Sequence, residues 1–151
     1  MIRLSKKLLF ALEAVLDIAY NAGTEPVRSK EITRRQGIPQ RYLEQVMQRL
    51  VRAGVLKGVR GPRGGYLLAR ERRRIALSEI ARVVNDMETN RNRLDDWPAS
   101  DFGHRVVRPL WHELEKDFMG RLEGISIEDL CQRARENGIE SEAGRRLDYS
   151  I

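Results

Sequence analysis

The residues best suited to chemistry lie between positions 28 and 70, and that chemistry is hydrogen bonding to a polyanion rather than bond making. Over residues 39–54, Arg41, Glu44, Gln45, Gln48 and Arg52 recur at spacings of three and four, so a helix would carry them on one face. Arginine matches the O6/N7 edge of guanine, glutamine matches the N6/N7 edge of adenine, and glutamate accepts from the cytosine N4 amino group. Downstream, Lys57, Arg60, Pro62, Arg63, Gly64 and Gly65 form a basic stretch punctuated by glycine and proline. Glycines there let a loop approach a groove closely, and Arg60 or Arg63 suits the negative potential of a minor groove. No paired catalytic carboxylates, Ser/His/Asp set or Cys/His set stands out, and the GPRGG run lacks the Lys-Ser/Thr of a phosphate loop. An enzyme is not expected.

The elements that would position these residues read as follows. From residue 5 to 20 the apolar positions Leu8, Leu9, Leu12, Val15, Leu16 and Ala19 keep a helical rhythm. Ala11, Ala14 and Ile18 widen that stripe, so burial on more than one side, and with it a subunit contact, is expected there. Ser29 is the expected N-cap of a short second helix that Gly37 stops. Pro39 suits the start of a third helix, whose apolar stripe is Leu43, Val46, Met47 and Leu50. Two helices joined by a short glycine-containing turn make a helix-turn-helix. VLKGVR and YLLAR around GPRGG then predict a β-hairpin, the wing. A fourth helix carries Leu77, Ile80, Ala81 and Val84. Residues 86–102 lose periodicity and predict a linker or sensor loop, in which Trp97 either lines a pocket or anchors the loop. Val107, Leu110, Trp111, Leu114, Phe118 and Leu122 mark an amphipathic helix, with Pro109 in its first turn or kinking it. Ser126 and Asp129 announce a last helix, with Ile125 stapled against Leu130. Residues 137–151 show no pattern and are expected to be mobile. The fold class is therefore mainly α with a small β-hairpin wing.

Composition agrees. A chain of 151 residues that is 41% hydrophobic supports one core, or a compact domain with an appendage. Residues 1–85 hold 18 Lys/Arg against 7 Asp/Glu, whereas residues 86–151 hold 10 against 15. A basic module seeks phosphates, because binding them releases condensed counterions. Cys131 is the one cysteine, so neither an intrachain disulfide nor a multi-cysteine metal site can form; its spacing from Ile127 and Leu130 predicts a small buried residue. His104 and His112 read as surface, and no metal or cofactor is expected. The apolar run at residues 8–12 is too short for a secretory signal or a membrane span, so a cytoplasmic protein without membrane contact is expected.

The phrases RLSKK at 3–7, YLEQ at 42–45 and LVRAGVLKGVRGPRGGYLLAR at 50–70 resemble the IscR/NsrR/CymR (Rrf-two) family of winged-helix bacterial transcription regulators. PLWHELEKDFMGRLEGISIEDL resembles that family's dimerisation helix and the short helix after it, so the resemblance runs from about residue 2 to 135. It implies a homodimer on double-stranded DNA, reading palindromic operators with half-sites one or two turns apart. Leu110, Trp111, Leu114, Phe118 and Leu122 would form the dimer interface. Glu44 and Gln45 match base-reading positions, and Arg60 matches an arginine that enters the minor groove. Arg3, Lys6, Lys7, Ser29, Lys30, Tyr42 and Arg49 are expected at phosphates. Domain boundaries follow at 1–85 for the winged module, 86–102 for the sensor loop and 103–136 for the dimerisation helix with its short successor. Two departures stand out: Arg63 replaces a usual glycine, and Pro39 replaces a frequent serine N-cap. A third departure concerns the sensor. Members with an iron–sulfur cluster carry three cysteines before the long helix, and residues 87–108 here hold none. A cluster-free member is implied, a repressor relieved by a small molecule or by a partner protein, as in the CymR type that complexes a cysteine-biosynthetic enzyme. An architectural DNA-binding protein without a sensor is the alternative.

Overall fold

The computed structural model describes residues 6–88, 98 and 100–144 of the chain. Arg3, Trp97, most of the expected sensor loop and the last seven residues lie outside the described residues. In order come α1 (Lys6–Asn21), α2 (Ser29–Gln36), α3 (Gln40–Arg52), β1 (Leu56–Val59), β2 (Gly65–Leu68), a 3-10 turn (Arg72–Arg74), α4 (Leu77–Glu88), α5 (Arg108–Glu123) and α6 (Ile127–Glu136). This is a winged helix-turn-helix, mainly helical with one antiparallel hairpin.

The core forms where the apolar stripes of five helices converge. Ala11, Val15 and Ile18 of α1, Ile32 of α2, Leu43, Val46, Met47 and Leu50 of α3, and Ile80 and Val84 of α4 are all buried. Each Val, Leu, Ile and Met side chain among them contributes roughly 1.5–3 kcal/mol by leaving water. Ile127 and Cys131 of α6 join the same cluster. The Ile127 amide donates to the Ile75 carbonyl and the Leu77 amide to the Ile125 carbonyl, both at 2.9 Å. α6 therefore belongs to the winged module, and the boundary drawn at residues 103–136 does not separate it. Within the core, the Asp17 side chain is fully buried and meets Arg35 Nη2 at 2.7 Å. Arg35 Nε and Gln36 Nε2 also donate to it, fastening α1 to the end of α2. This bond to Asp17 also holds the Arg35 guanidinium above its ordinary pKa.

Helix ends follow local chemistry. Gly37 has φ +66°, the left-handed conformation that stops α2. Ser29 proves to be the first residue of α2 rather than its N-cap: Arg28 caps it, its amide donating to Glu31 Oε2 at 3.2 Å. At α6 the expected capping box is complete, with the Asp129 amide donating to Ser126 Oγ and the Ser126 amide to Asp129 Oδ2. Those bonds, that to the Ser126 amide foremost, lower the Asp129 carboxyl pKa.

Three expectations are corrected. The widened stripe of α1, Ala11, Ala14 and Ile18, is covered by this chain's own core rather than by a second subunit. α4 runs to Glu88, and helix resumes at Asp101, so both ends of the expected loop at 86–102 are helical. Helix from Asp101 passes through a π turn, Gly103–Val107, before α5. Pro109 stands in the first turn of α5, one of the two places expected for it; it has no N–H for the Arg105 carbonyl, and the wider turn falls where that bond is missing. Finally, residues 137–144 of the expected mobile tail are docked. Tyr20 donates its hydroxyl proton to the Ile139 carbonyl, and the Glu142 amide donates to Asn21 Oδ1 at 3.0 Å.

Candidate nucleic-acid interface

The helix-turn-helix divides α3 as its sequence pattern requires. With Leu43, Val46, Met47 and Leu50 buried, Arg41, Glu44, Gln45 and Gln48 are all exposed, as is Arg49. Tyr42 lies between the two faces. Its ring packs against Phe10 with centroids 6.2 Å apart, and its hydroxyl donates to the Lys7 carbonyl at 2.6 Å. Burial raises the pKa of this phenol, helped by the charge of Glu88. The hydroxyl proton is committed within the fold, in place of the phosphate contact assigned from sequence. Tyr42 instead fixes the start of α3 against α1.

The wing is built by close backbone approach. Its register pairs Leu56 with Leu68 and Val59 with Gly65. Val27 adds a single bridge on the far side of β2, exchanging hydrogen bonds of 3.0 and 2.8 Å with Tyr66. A Cβ at Gly65 would stand 2.4 Å from the Val27 carbonyl oxygen, and one at Gly64 only 2.3 Å from that of Val59. These two glycines are needed to close the hairpin itself, a reason distinct from approach to a groove. Lys57, Arg60, Pro62 and Arg63 are exposed around the tip. The Arg28 guanidinium donates to the Pro62 carbonyl, tying the tip to the first residues of α2. Sequence reasoning missed Arg28, because its partner lies 34 positions away. A groove lined by Arg28, Ser29, Lys30, Arg60 and Pro62 separates the two. Lys6, Lys7 and Lys30 are exposed, whereas Ser29 is half-buried.

One further network lies beside the exposed face of α3. Gln40 Nε2 donates to Glu44 Oε1 at 2.9 Å, and Gln40 Oε1 accepts from Thr33 Oγ1 at 2.8 Å. Sequence reading left out Gln40, although its position one turn before Glu44 was visible.

The sequence model of Rrf2, an iron-dependent transcriptional regulator, matches residues 4–133. The chain belongs to the Rrf2 family. It is thus a DNA-binding transcription regulator of the winged helix-turn-helix type, related to IscR. It is 36% identical to the HTH-type transcriptional regulator IscR of Klebsiella pneumoniae (strain 342) over 129 residues, 85% of this chain and 78% of that protein. The solved structure of T. potens IscR superposes with a TM-score of 0.70 at 33% identity, covering 90% of both chains. CymR, the global cysteine regulator of B. subtilis, superposes at 0.67 with 28% identity, covering 88% of this chain and 98% of that one.

The family description names iron, and among the described residues no group of three His, Cys, Asp or Glu side chains is placed to hold it. Cys131 is the chain's single cysteine and is fully buried in the core, where burial also raises the thiol pKa.

α5 stands apart. None of its residues is buried, and Leu110, Trp111 and Leu114 are 53%, 40% and 49% exposed. Val106 and Phe102 extend this apolar stripe toward the N-terminus at spacings of four, and sequence reading had not included them. Phe118 is half-buried, whereas Leu122 packs on the core of its own chain and is removed from the expected dimer interface.

Proposed function

We propose that this Rrf2-family chain represses transcription as a homodimer that reads a palindromic operator, without an iron–sulfur cluster, and is released by a small-molecule or protein effector. The observation that carries the reading is the exposed face of α3, with Arg41, Glu44, Gln45 and Gln48, beside a wing tipped by Arg60 and Arg63. In this reading α3 enters the major groove, where its side chains meet base edges. Arg60 enters the minor groove, and Lys6, Lys7, Lys30, Lys57 and Arg49 neutralise phosphates, which fixes position without reading sequence. Arg3 joins them from outside the described residues.

The dimer reading rests on α5. An apolar stripe left open along a long helix marks an interaction surface, and a second copy buries Leu110, Trp111, Leu114 and Phe118 against their equivalents in a two-fold contact. The cluster-free reading rests on ligand chemistry, since thiolates hold such clusters and this chain offers one inaccessible thiol. The chain catalyses no reaction in this account. It acts in the cytoplasm; no described helix is long and apolar enough to cross a membrane.

The test is selection of binders from a random duplex library at near-physiological salt with reductant present. A recovered palindrome is the expected result. Salt-sensitive retention with no enriched sequence overturns the reading in favour of architectural binding.

A further inference from the structure

We infer that Gln40 is a positioning residue for base recognition, holding the Glu44 carboxylate in the one orientation that discriminates its base. The inference rests on the reading of α3 as the base-reading helix.

An exposed glutamate on a helix surface samples several rotamers, and a contact from a freely turning carboxylate discriminates poorly, because ordering it costs side-chain entropy. Here Glu44 is not free to turn. Gln40 lies one helical turn earlier and donates Nε2–H to Glu44 Oε1 at 2.9 Å. That bond occupies one carboxylate oxygen and leaves Oε2 to accept from a cytosine N4 amino group. The Gln40 amide is itself held. Its Oε1 accepts from the Thr33 hydroxyl at 2.8 Å, and its Nε2 lies 3.5 Å from Ser29 Oγ, both on α2. Turning the amide over would set its carbonyl against the acceptor-only Glu44 carboxylate, whereas the Thr33 hydroxyl can donate or accept and serves either orientation. The donor–acceptor pattern therefore fixes one orientation. Gln40 is half-buried, with the two helices of the motif on either side. A hydroxyl on α2 thus anchors an amide at the first residue of α3, and that amide sets the base-reading carboxylate.

The experiment measures binding of the purified full chain to its selected operator and to all single-base variants of it. The proteins compared are wild type, Gln40→Ala, Gln40→Met, Glu44→Ala and the Gln40→Ala/Glu44→Ala double variant. Alanine and methionine both favour helix, so α3 is retained; methionine also keeps the length of the side chain. Glu44→Ala is expected to flatten the preference at one base step in each half-site. Gln40→Ala and Gln40→Met are expected to flatten the same step by roughly 5- to 20-fold, within the discrimination that one base contact supplies. Preference elsewhere and the salt dependence should stay unchanged. In the double variant, the loss of Gln40 should add nothing to the loss of Glu44, the non-additivity of a coupled pair. Thr33→Val should act in the same direction, more weakly. Uniform weakening on every sequence by Gln40→Met would overturn the inference, reducing Gln40 to a brace between helices. A flattened step in Glu44→Ala with wild-type preference in both Gln40 variants overturns the inference alone. No change in Glu44→Ala removes the base-reading role of Glu44, and the inference falls with it.

Discussion

The winged module and α5 solve the same problem in opposite ways. In the module, α1, α2, α3, α4 and α6 each turn at least one large apolar side chain into a shared interior, and even the polar Asp17 is enclosed with its partner Arg35. α5 carries as clear an apolar pattern, yet it buries no residue, and Leu110 and Leu114 remain about half exposed. Among the described residues, its C-terminal end rests on the module through Met119 and Leu122. Periodicity therefore tells which face of a helix is apolar, but the partner that covers it can be the same chain or another. The first region covers its own apolar faces, and the second leaves its face open.

Substitutions can break this comparison. The largest effect is expected inside the module. Asp17→Ala leaves Arg35 part-buried without its carboxylate and should cost about 3–5 kcal/mol of stability. Urea denaturation would measure this; a loss below about 1 kcal/mol would mean that the pair is not integral to the module. Charges on α5 should act differently. Leu110→Glu with Leu114→Glu should leave the circular dichroism of the folded chain intact while dissociating the dimer, with about 2 kcal/mol or more lost per central interface residue. Sedimentation equilibrium gives the mass, and an unchanged dimer would mean that α5 is covered by something other than a second copy.

Two smaller effects sharpen the contrast between folding and binding residues. Arg60→Ala should cost roughly 1–3 kcal/mol of specific DNA binding without lowering the melting temperature; titration of labelled operator decides it. Glu79→Gln should act on the fold alone and in a pH-dependent way. Burial would raise the Glu79 carboxyl pKa, but hydrogen bonds from Arg70 and the Ala76 amide bring it below its ordinary value. A carboxyl depressed in the folded state stabilises above its unfolded pKa and loses that contribution as pH falls through the folded one. The wild type should thus lose stability on acidification below the ordinary carboxylate range more steeply than Glu79→Gln, as melts across that range would record.

Much of this architecture was legible in the residues because it depends on local rules. The four-position stripe of α3, the glycine stop at Gly37 and the Ser126–Asp129 cap are each written within a few residues, and all three are found. What was not legible depends on tertiary proximity. Nothing local says that Tyr42 gives its proton to Lys7, that Arg28 reaches Pro62, or that Leu122 turns inward while Leu114 stays outside. α6 was assigned to the dimerisation region because it follows α5 in sequence, yet Ile127 and Cys131 complete the core of the module. For the interface, the exposed side chains were legible as types, whereas the bonds that orient them, such as Gln40 to Glu44, required the fold.

The most direct test of a dimeric, site-specific DNA reader is titration of the full chain against a selected palindrome and against a scrambled duplex of equal length, at near-physiological salt, with the mass of each complex recorded. The account predicts two chains on the palindrome and affinity at least about 10³-fold above the scrambled duplex. Equal affinity for both duplexes, or a single chain on the palindrome, would contradict it.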